Sequence, residues 1–91
     1  MIILQGFINV PANELDAIKV ALITHKQLTQ QEVGCITFTV IQDKKNPCQF
    51  HVYEEFIDQL AFERHQARVK SSAWGEATKN VIRHYQISQK P

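Results

Sequence analysis

Apolar residues along this chain recur with two rhythms, one of about two residues and one of about 3.6. Ile2 to Val10 is rich in Ile, Leu, Phe and Val and reads as a strand. Pro11 ends it, because proline brings no N–H to a ladder. Asn13 is placed to cap a helix, with Glu14 and Asp16 in its first turn, where the helix dipole favours them. From there the period is helical. Leu15, Ile18, Ala21, Leu22 and Leu28 share one face, with His25 near its middle, and the helix is expected to stop near Glu32, with Gly34 turning the chain.

The rhythm then shortens. Cys35 to Ile41 alternates around Thr37 and Thr39, a β-branched strand pattern. The polar run Asp43 to Pro47 reads as a turn, so the next strand, Gln49 to Phe56, is expected to pair back as a hairpin. Phe50, Val52, Glu54 and Phe56 lie on one side of it, and His51, Tyr53 and Glu55 on the other. Asp58 is a second N-cap. Ala61, Phe62, His65, Val69, Ser72 and Ala73 form the inner face of a second helix that Gly75 is expected to break or bend, and Val81 to Ser88 alternates as a last strand. The order is βαββαβ, a ferredoxin-like α+β domain over residues 1–91. Two helices cover only one face of four strands. The other face, with His51 and Tyr53 among Ile and Thr, predicts a homodimer in which two sheets close on each other.

The bulk numbers narrow the field. Ninety-one residues make one domain of a size that is often marginal alone. The net charge of +1 and the mixing of Arg64, Arg68 and Lys70 with Glu63 and Glu76 leave no basic footprint for nucleic acid. Cys35 and Cys48 form no CxxC pair and are expected to be reduced thiols. The apolar N-terminal run is too short to span a bilayer and has no basic flank, so the expectation is a cytoplasmic protein without membrane association. No His-Glu-x-x-His or Cys/His cluster points to zinc. No GxGxxG, P-loop or Gly-x-Ser-x-Gly elbow is present either.

Read together, Glu32-Val33-Gly34-Cys35, Phe38-Thr39-Val40, Gln42-Asp43, Phe50-His51-Val52-Tyr53-Glu54-Glu55-Phe56, Asp58, Ala61 and His65 resemble the antibiotic biosynthesis monooxygenase domain, nearest to its quinol-monooxygenase and autoinducer-2 signal-isomerase branches. The resemblance spans essentially the whole chain. It implies a dimeric α+β barrel with a pocket between helices and sheet. It also implies cofactor-independent oxidation of a small quinol or phenol, or isomerisation of a small phosphorylated hydroxyketone. The chain departs from the pattern at Arg68 to Ser72, where many relatives carry a second histidine. With no histidine between Gln66 and Arg83, the iron ligand of haem-degrading relatives is missing. A non-catalytic small-molecule binding dimer is the third reading. No cofactor and no metal are expected.

Candidate chemistry centres on His65, a residue type that can accept and return a proton at cellular pH, here on an apolar helix face; it is either a general base or a satisfied core histidine. His25 is a second inward histidine that could meet it. Glu54 is a carboxylate in an apolar row, which is uncommon unless paired or functional. Asn9 either orients a substrate or ends its strand. Phe50, Phe56 and Phe62 would supply flat apolar walls. Arg68 and Trp74 would rim the pocket, and Arg83 would meet an anion or a partner subunit.

Overall fold

In the computed structural model, which describes residues 1–91, the two rhythms become two layers. Strand β1 is Ile2–Asn9; a 3₁₀ turn at Ala12–Glu14 leads into helix α1, Leu15–Gln30. Strands β2, Cys35–Gln42, and β3, Gln49–Phe56, follow. Helices α2, Gln59–Lys70, and α3, Ala73–Ala77, then lead to β4, Ile82–Gln89. The sheet order is β2-β3-β1-β4, every pairing antiparallel, which gives the ferredoxin-like α+β fold. Strands β1 and β2 both oppose β3 and so run parallel to each other, with α1 as their crossover.

The alternation in β3 decides which face is which. Phe50, Val52, Glu54 and Phe56 are buried beneath the helices, while His51, Tyr53 and Glu55 point to the other side. On β1 the same side carries Ile2, Leu4, Ile8 and, beyond the strand, Val10, all in one core with Ile18, Phe38, Val40, Phe62 and Trp74. Phe56 is wholly buried. Covering such a ring contributes on the order of 1.5–3 kcal/mol. The opposite face is open. Across its strands runs a row of His84, Phe7, His51 and Ile41, and a hollow of about 690 Å³ lies there. Phe7 and His84 stack with ring centroids 4.6 Å apart.

Asp58 caps α2 as its sequence position implies, accepting from the Ala61 N–H at 2.8 Å. Gly34 takes a φ of +92°, the left-handed region where glycine is at ease. Helix α1 ends at Gln30, near Glu32 as its pattern implies. Three expectations need correction. Asn13 caps nothing: Pro11 pre-sets the backbone for a 3₁₀ turn, Glu14 donates to the Pro11 carbonyl, and α1 starts without a side-chain cap. Leu28 is 45% exposed, because the stripe that meets the sheet is Ile18, His25 and Thr29. Finally, the second helical segment breaks at Ser71–Ser72 and not at Gly75, since Ser72 accepts from the Gly75 N–H and starts α3 afresh. That restart exposes Ala73 and buries Trp74 in its place.

Candidate functional site

Four segments far apart in sequence converge between sheet and helices. From β3, alternation turns Glu54 and Phe56 inward. On α2, His65 and Arg68 stand three residues apart and therefore share a face. Helix α1 contributes His25 and Thr29, at the i, i+4 spacing that gives the same result. Glu32 arrives from the turn after α1.

His65 is 2% exposed and is flanked by two carboxylates. Its Nδ1 lies 3.0 Å from Glu32 Oε1, and its Nε2 lies 3.5 Å from Glu54 Oε1. The first is a hydrogen bond. The second is near enough for attraction, yet Glu54 Oε1 has no hydrogen-bond partner. Arg68 donates through Nε to the same Glu32 oxygen at 2.7 Å, approaches it through Nη2 at 2.6 Å, and reaches Thr29 Oγ1 at 2.9 Å. Its Nη1 is buried without a partner.

His25 is placed differently. It lies flat on Trp74, ring centroids 4.7 Å apart and planes within 5°, and meets the edge of Phe38 at 5.3 Å. No protein group hydrogen-bonds either ring nitrogen, and Nδ1 is fully enclosed. An unpaired buried polar group costs about 1–3 kcal/mol, which makes its retention an observation in need of a reason. His25 also faces a cavity of about 180 Å³ between α1 and the α2–α3 junction, walled by Ala21, Thr24, Leu28, Arg68 and Trp74. The larger hollow on the open sheet face contains none of these titratable groups.

Burial sets the protonation states. It pushes Glu54 up to about 7, helped by repulsion from Glu32, so that the carboxyl holds its proton into the neutral range. It drives His25 down to about 3, reinforced by repulsion from His65 when that ring is protonated and from Arg68 and Arg83, so the ring is neutral at cellular pH. His65 is lowered by burial while Glu32 opposes the shift through a hydrogen bond and its charge. Tyr85 on β4 is pushed up to about 12, chiefly by burial and then by Glu54.

The structure brings together His65, His25, Glu54, Phe56, Phe62, Arg68 and Trp74. The Phe56 ring lies 4.9 Å from His65 and 5.6 Å from Phe62. Phe50 shares the row but stands four residues from Glu54, roughly 13 Å along the strand. Asn9 is not brought in: it shares the open face with Gln5 and Phe7, opposite the helices, at the end of β1. Arg83 is engaged by Thr78, whose Oγ1 it reaches at 2.7 Å. No three His, Cys, Asp or Glu side chains are arranged to hold a metal ion. Sequence reasoning gave no role to Glu32 or Thr29. Glu32 stood inside the Glu-x-Gly-Cys stretch, but its link to His65 spans 33 residues. Thr29 was signalled only by its spacing from His25.

The comparisons with known proteins agree with this fold. No curated protein matches the chain. Among solved structures, a protein of Deinococcus radiodurans provisionally described as an antibiotic biosynthesis monooxygenase is 24% identical, with a TM-score of 0.85 over 100% of this chain and 93% of its own. One of Nitrosomonas europaea, described in the same provisional terms, is 18% identical with a TM-score of 0.78, covering 97% and 94%. A Pseudomonas aeruginosa protein is 21% identical with a TM-score of 0.79, covering 98% and 90%. At these identities the likeness is one of fold. The sequence model of the antibiotic biosynthesis monooxygenases matches residues 1–77, most of the chain, and the chain belongs to that family.

Proposed function

We propose that this domain is a cofactor-independent monooxygenase that oxidises a small single-ring quinol or phenol. The observation that carries the proposal is His25, a neutral imidazole with no protein partner, facing a small, largely apolar cavity beside a cation. The size of the cavity selects the substrate. An apolar cavity of about 150 Å³ accepts benzene, so 180 Å³ suits one ring bearing a few oxygens and not a fused polycycle. Trp74 and Leu28 offer the ring its apolar walls.

Triplet oxygen reacts slowly with closed-shell organics, so the protein must first make the substrate electron-rich by removing a proton. A phenol titrating near ~10 stands about 7 pH units above His25 in the empty cavity. Two effects narrow that gap, by less than about 6 units together. The imidazolium–phenolate pair formed by the transfer is worth about 4 kcal/mol at 4 Å and an effective dielectric of 20, close to 3 units. The Arg68 guanidinium supplies up to a similar amount, reduced by its pairing with Glu32. The anion then reduces oxygen. One oxygen atom enters the ring, the other leaves as water, and the quinol becomes a hydroxyquinone. His65 and Glu54, carried forward as catalytic candidates, stand behind this base as a buried pair and do not line the cavity.

The working unit is a homodimer through the open sheet face, where Ile41 and Ile82 are 60% and 61% exposed beside Phe7 and Tyr53. The free thiols Cys35 and Cys48 suit the reducing cytoplasm. No helix is long and apolar enough to cross a membrane. Residues 1–91 act as one domain on a small molecule, without nucleic acid, membrane, flavin, haem or metal.

Quinol-dependent oxygen uptake by colourless protein is the expected result. A positioned base contributes on the order of 10²–10⁴-fold, so His25→Ala should lower turnover by that range while circular dichroism is unchanged. Full uptake by His25→Ala would overturn the assignment of the base. Arg68, whose buried Nη1 has no partner, also suits a phosphorylated hydroxyketone, whose isomerisation needs the same base but consumes no oxygen. Ligand binding with neither uptake nor isomerisation would mark a binding module. A monomer mass in light scattering at micromolar concentration would remove the dimer, and a stoichiometric flavin or Soret band would remove the cofactor-free reading.

A further inference from the structure

Glu32 was given no role by the motif in which it lies, yet a single one of its oxygens organises the site. Oε1 accepts from His65 Nδ1 at 3.0 Å and from Arg68 Nε at 2.7 Å, with Arg68 Nη2 at 2.6 Å. We infer that Glu32 is a positioning residue that fixes the proton of His65 on Nδ1, leaving Nε2 bare toward the Glu54 carboxyl, and that holds Arg68 by Nε and Nη2 so that Nη1 is the guanidinium nitrogen left for a ligand. The inference deepens the proposed reaction and rests on it only where turnover is the readout.

The argument is one of counting donors and acceptors. A neutral imidazole carries one N–H and one lone pair, and the hydrogen bond at one nitrogen decides the role of the other. Glu32 is already committed to a guanidinium and so can only accept from His65. The N–H is therefore at Nδ1, and Nε2 is an acceptor. Facing that acceptor at 3.5 Å is Glu54, a carboxyl in a nearly closed pocket. Burial favours the neutral form of His65; with that form two acceptors would repel here, so Glu54 holds the proton, and burial raises that carboxyl in the same sense. If Glu32 is removed, nothing holds the proton at Nδ1. The Glu54 proton can then pass to Nε2 while the Nδ1 proton leaves to solvent, so that an Nε2–H donor faces an ionised Glu54 and the two groups exchange donor and acceptor roles. Thr29 still holds Nη2 of Arg68, but the grip on Nε is lost and the guanidinium can turn.

The ring ¹⁵N shifts of histidines report tautomers directly in substrate-free protein. At pH 6 the wild type should show His65 as the Nδ1–H form. Glu32→Gln, which keeps an acceptor oxygen but no charge, should retain that form; Glu32→Ala should convert it to the Nε2–H form. If Glu32→Ala fails to fold, the wild type and Glu32→Gln still decide the matter. A wild-type His65 carrying its proton on Nε2, or a mixture of tautomers, would overturn the inference, as would an unchanged tautomer in Glu32→Ala. In oxygen uptake, Glu32→Ala should raise KM for a quinol about tenfold or more, with Glu32→Gln between it and the wild type; an unchanged KM would refute the Arg68 half. Wild-type protein with the expected tautomer but no oxygen uptake would sink the proposed reaction and leave the tautomer assignment standing.

Discussion

Replacing Glu54 by Gln removes one titration from the core while keeping the side chain's shape. The carboxyl's ordinary value of 4.5 rises to about 7 in the folded protein. The native state therefore holds its proton more tightly than the unfolded chain does. The stability this contributes is fully present below pH 4.5, falls as pH rises, and is gone above about 7. At about 1.36 kcal/mol per unit, the loss is roughly 3 kcal/mol. His25 works in the opposite direction. Its value is depressed from 6.5 to about 3, so the stability tied to its neutral form is present above 6.5 and is lost as pH falls toward 3. Between about pH 4.5 and 6.5 the two slopes oppose each other at about 1.36 kcal/mol per unit each, and their sum is nearly flat. Glu54→Gln unmasks the histidine slope. The assay is urea unfolding of both proteins from pH 4.5 to 8 at one protein concentration, followed by circular dichroism. The variant should gain about 3 kcal/mol on the wild type between pH 4.5 and 7 and stay level above that. Other titrating groups cancel in the difference. A difference that does not change with pH would show that Glu54 is ionised in the folded state and refute the reasoning.

Three further outcomes test the frame around the site. Phe56→Ala should cost about 3–5 kcal/mol in the same unfolding assay, because the ring is fully enclosed against Phe62 and His65. Asp58→Ala, which leaves the Ala61 N–H without its cap, should cost about 0.5–2 kcal/mol and be visible as a lowered melting temperature by calorimetry. In Gly75→Ala the added carbon would come 2.3 Å from the Val69 carbonyl oxygen. The α2–α3 junction must then give way, at about 1–3 kcal/mol, and the altered stacking of Trp74 on His25 should appear in the indole fluorescence.

The fold was legible where a local pattern had one physical reading. The alternation of Phe50, Val52, Glu54 and Phe56 allowed only one inward face, and Asp58 and Gly34 behaved as their positions required. Misreadings arose where local pattern and tertiary packing separated. Leu28 satisfies the helical period but stands to the side of the stripe that meets the sheet, and Ser72 restarts a helix that the period alone runs straight through. The near-continuous apolar run of β1 concealed which face Asn9 occupies, since Ile2, Ile3 and Leu4 are all buried whichever way they point. Of the site, the types and inward direction of His25, Glu54 and His65 could be read. Their distinct surroundings could not, because these depend on Glu32 meeting His65 across 33 residues and on a cavity that forms beside one histidine and not the other.

The two-sidedness of the sheet has a consequence for inheritance. Each central strand writes two messages on alternate letters, Glu54 and Phe56 for the face buried beneath the helices and His51 and Tyr53 for the face we propose to be shared between copies. Substitutions can therefore revise either message alone, and lineages can change how they assemble while keeping what they bind, or the reverse. Insertion or loss of one residue inside β3 is another matter: it exchanges the two sets of letters at a stroke, turning Glu54 outward and Tyr53 into the core. Length within this strand should thus be held far more strictly across descendants than the residues that compose it, while the turn from Asp43 to Pro47, which carries neither message, is where length is free to drift.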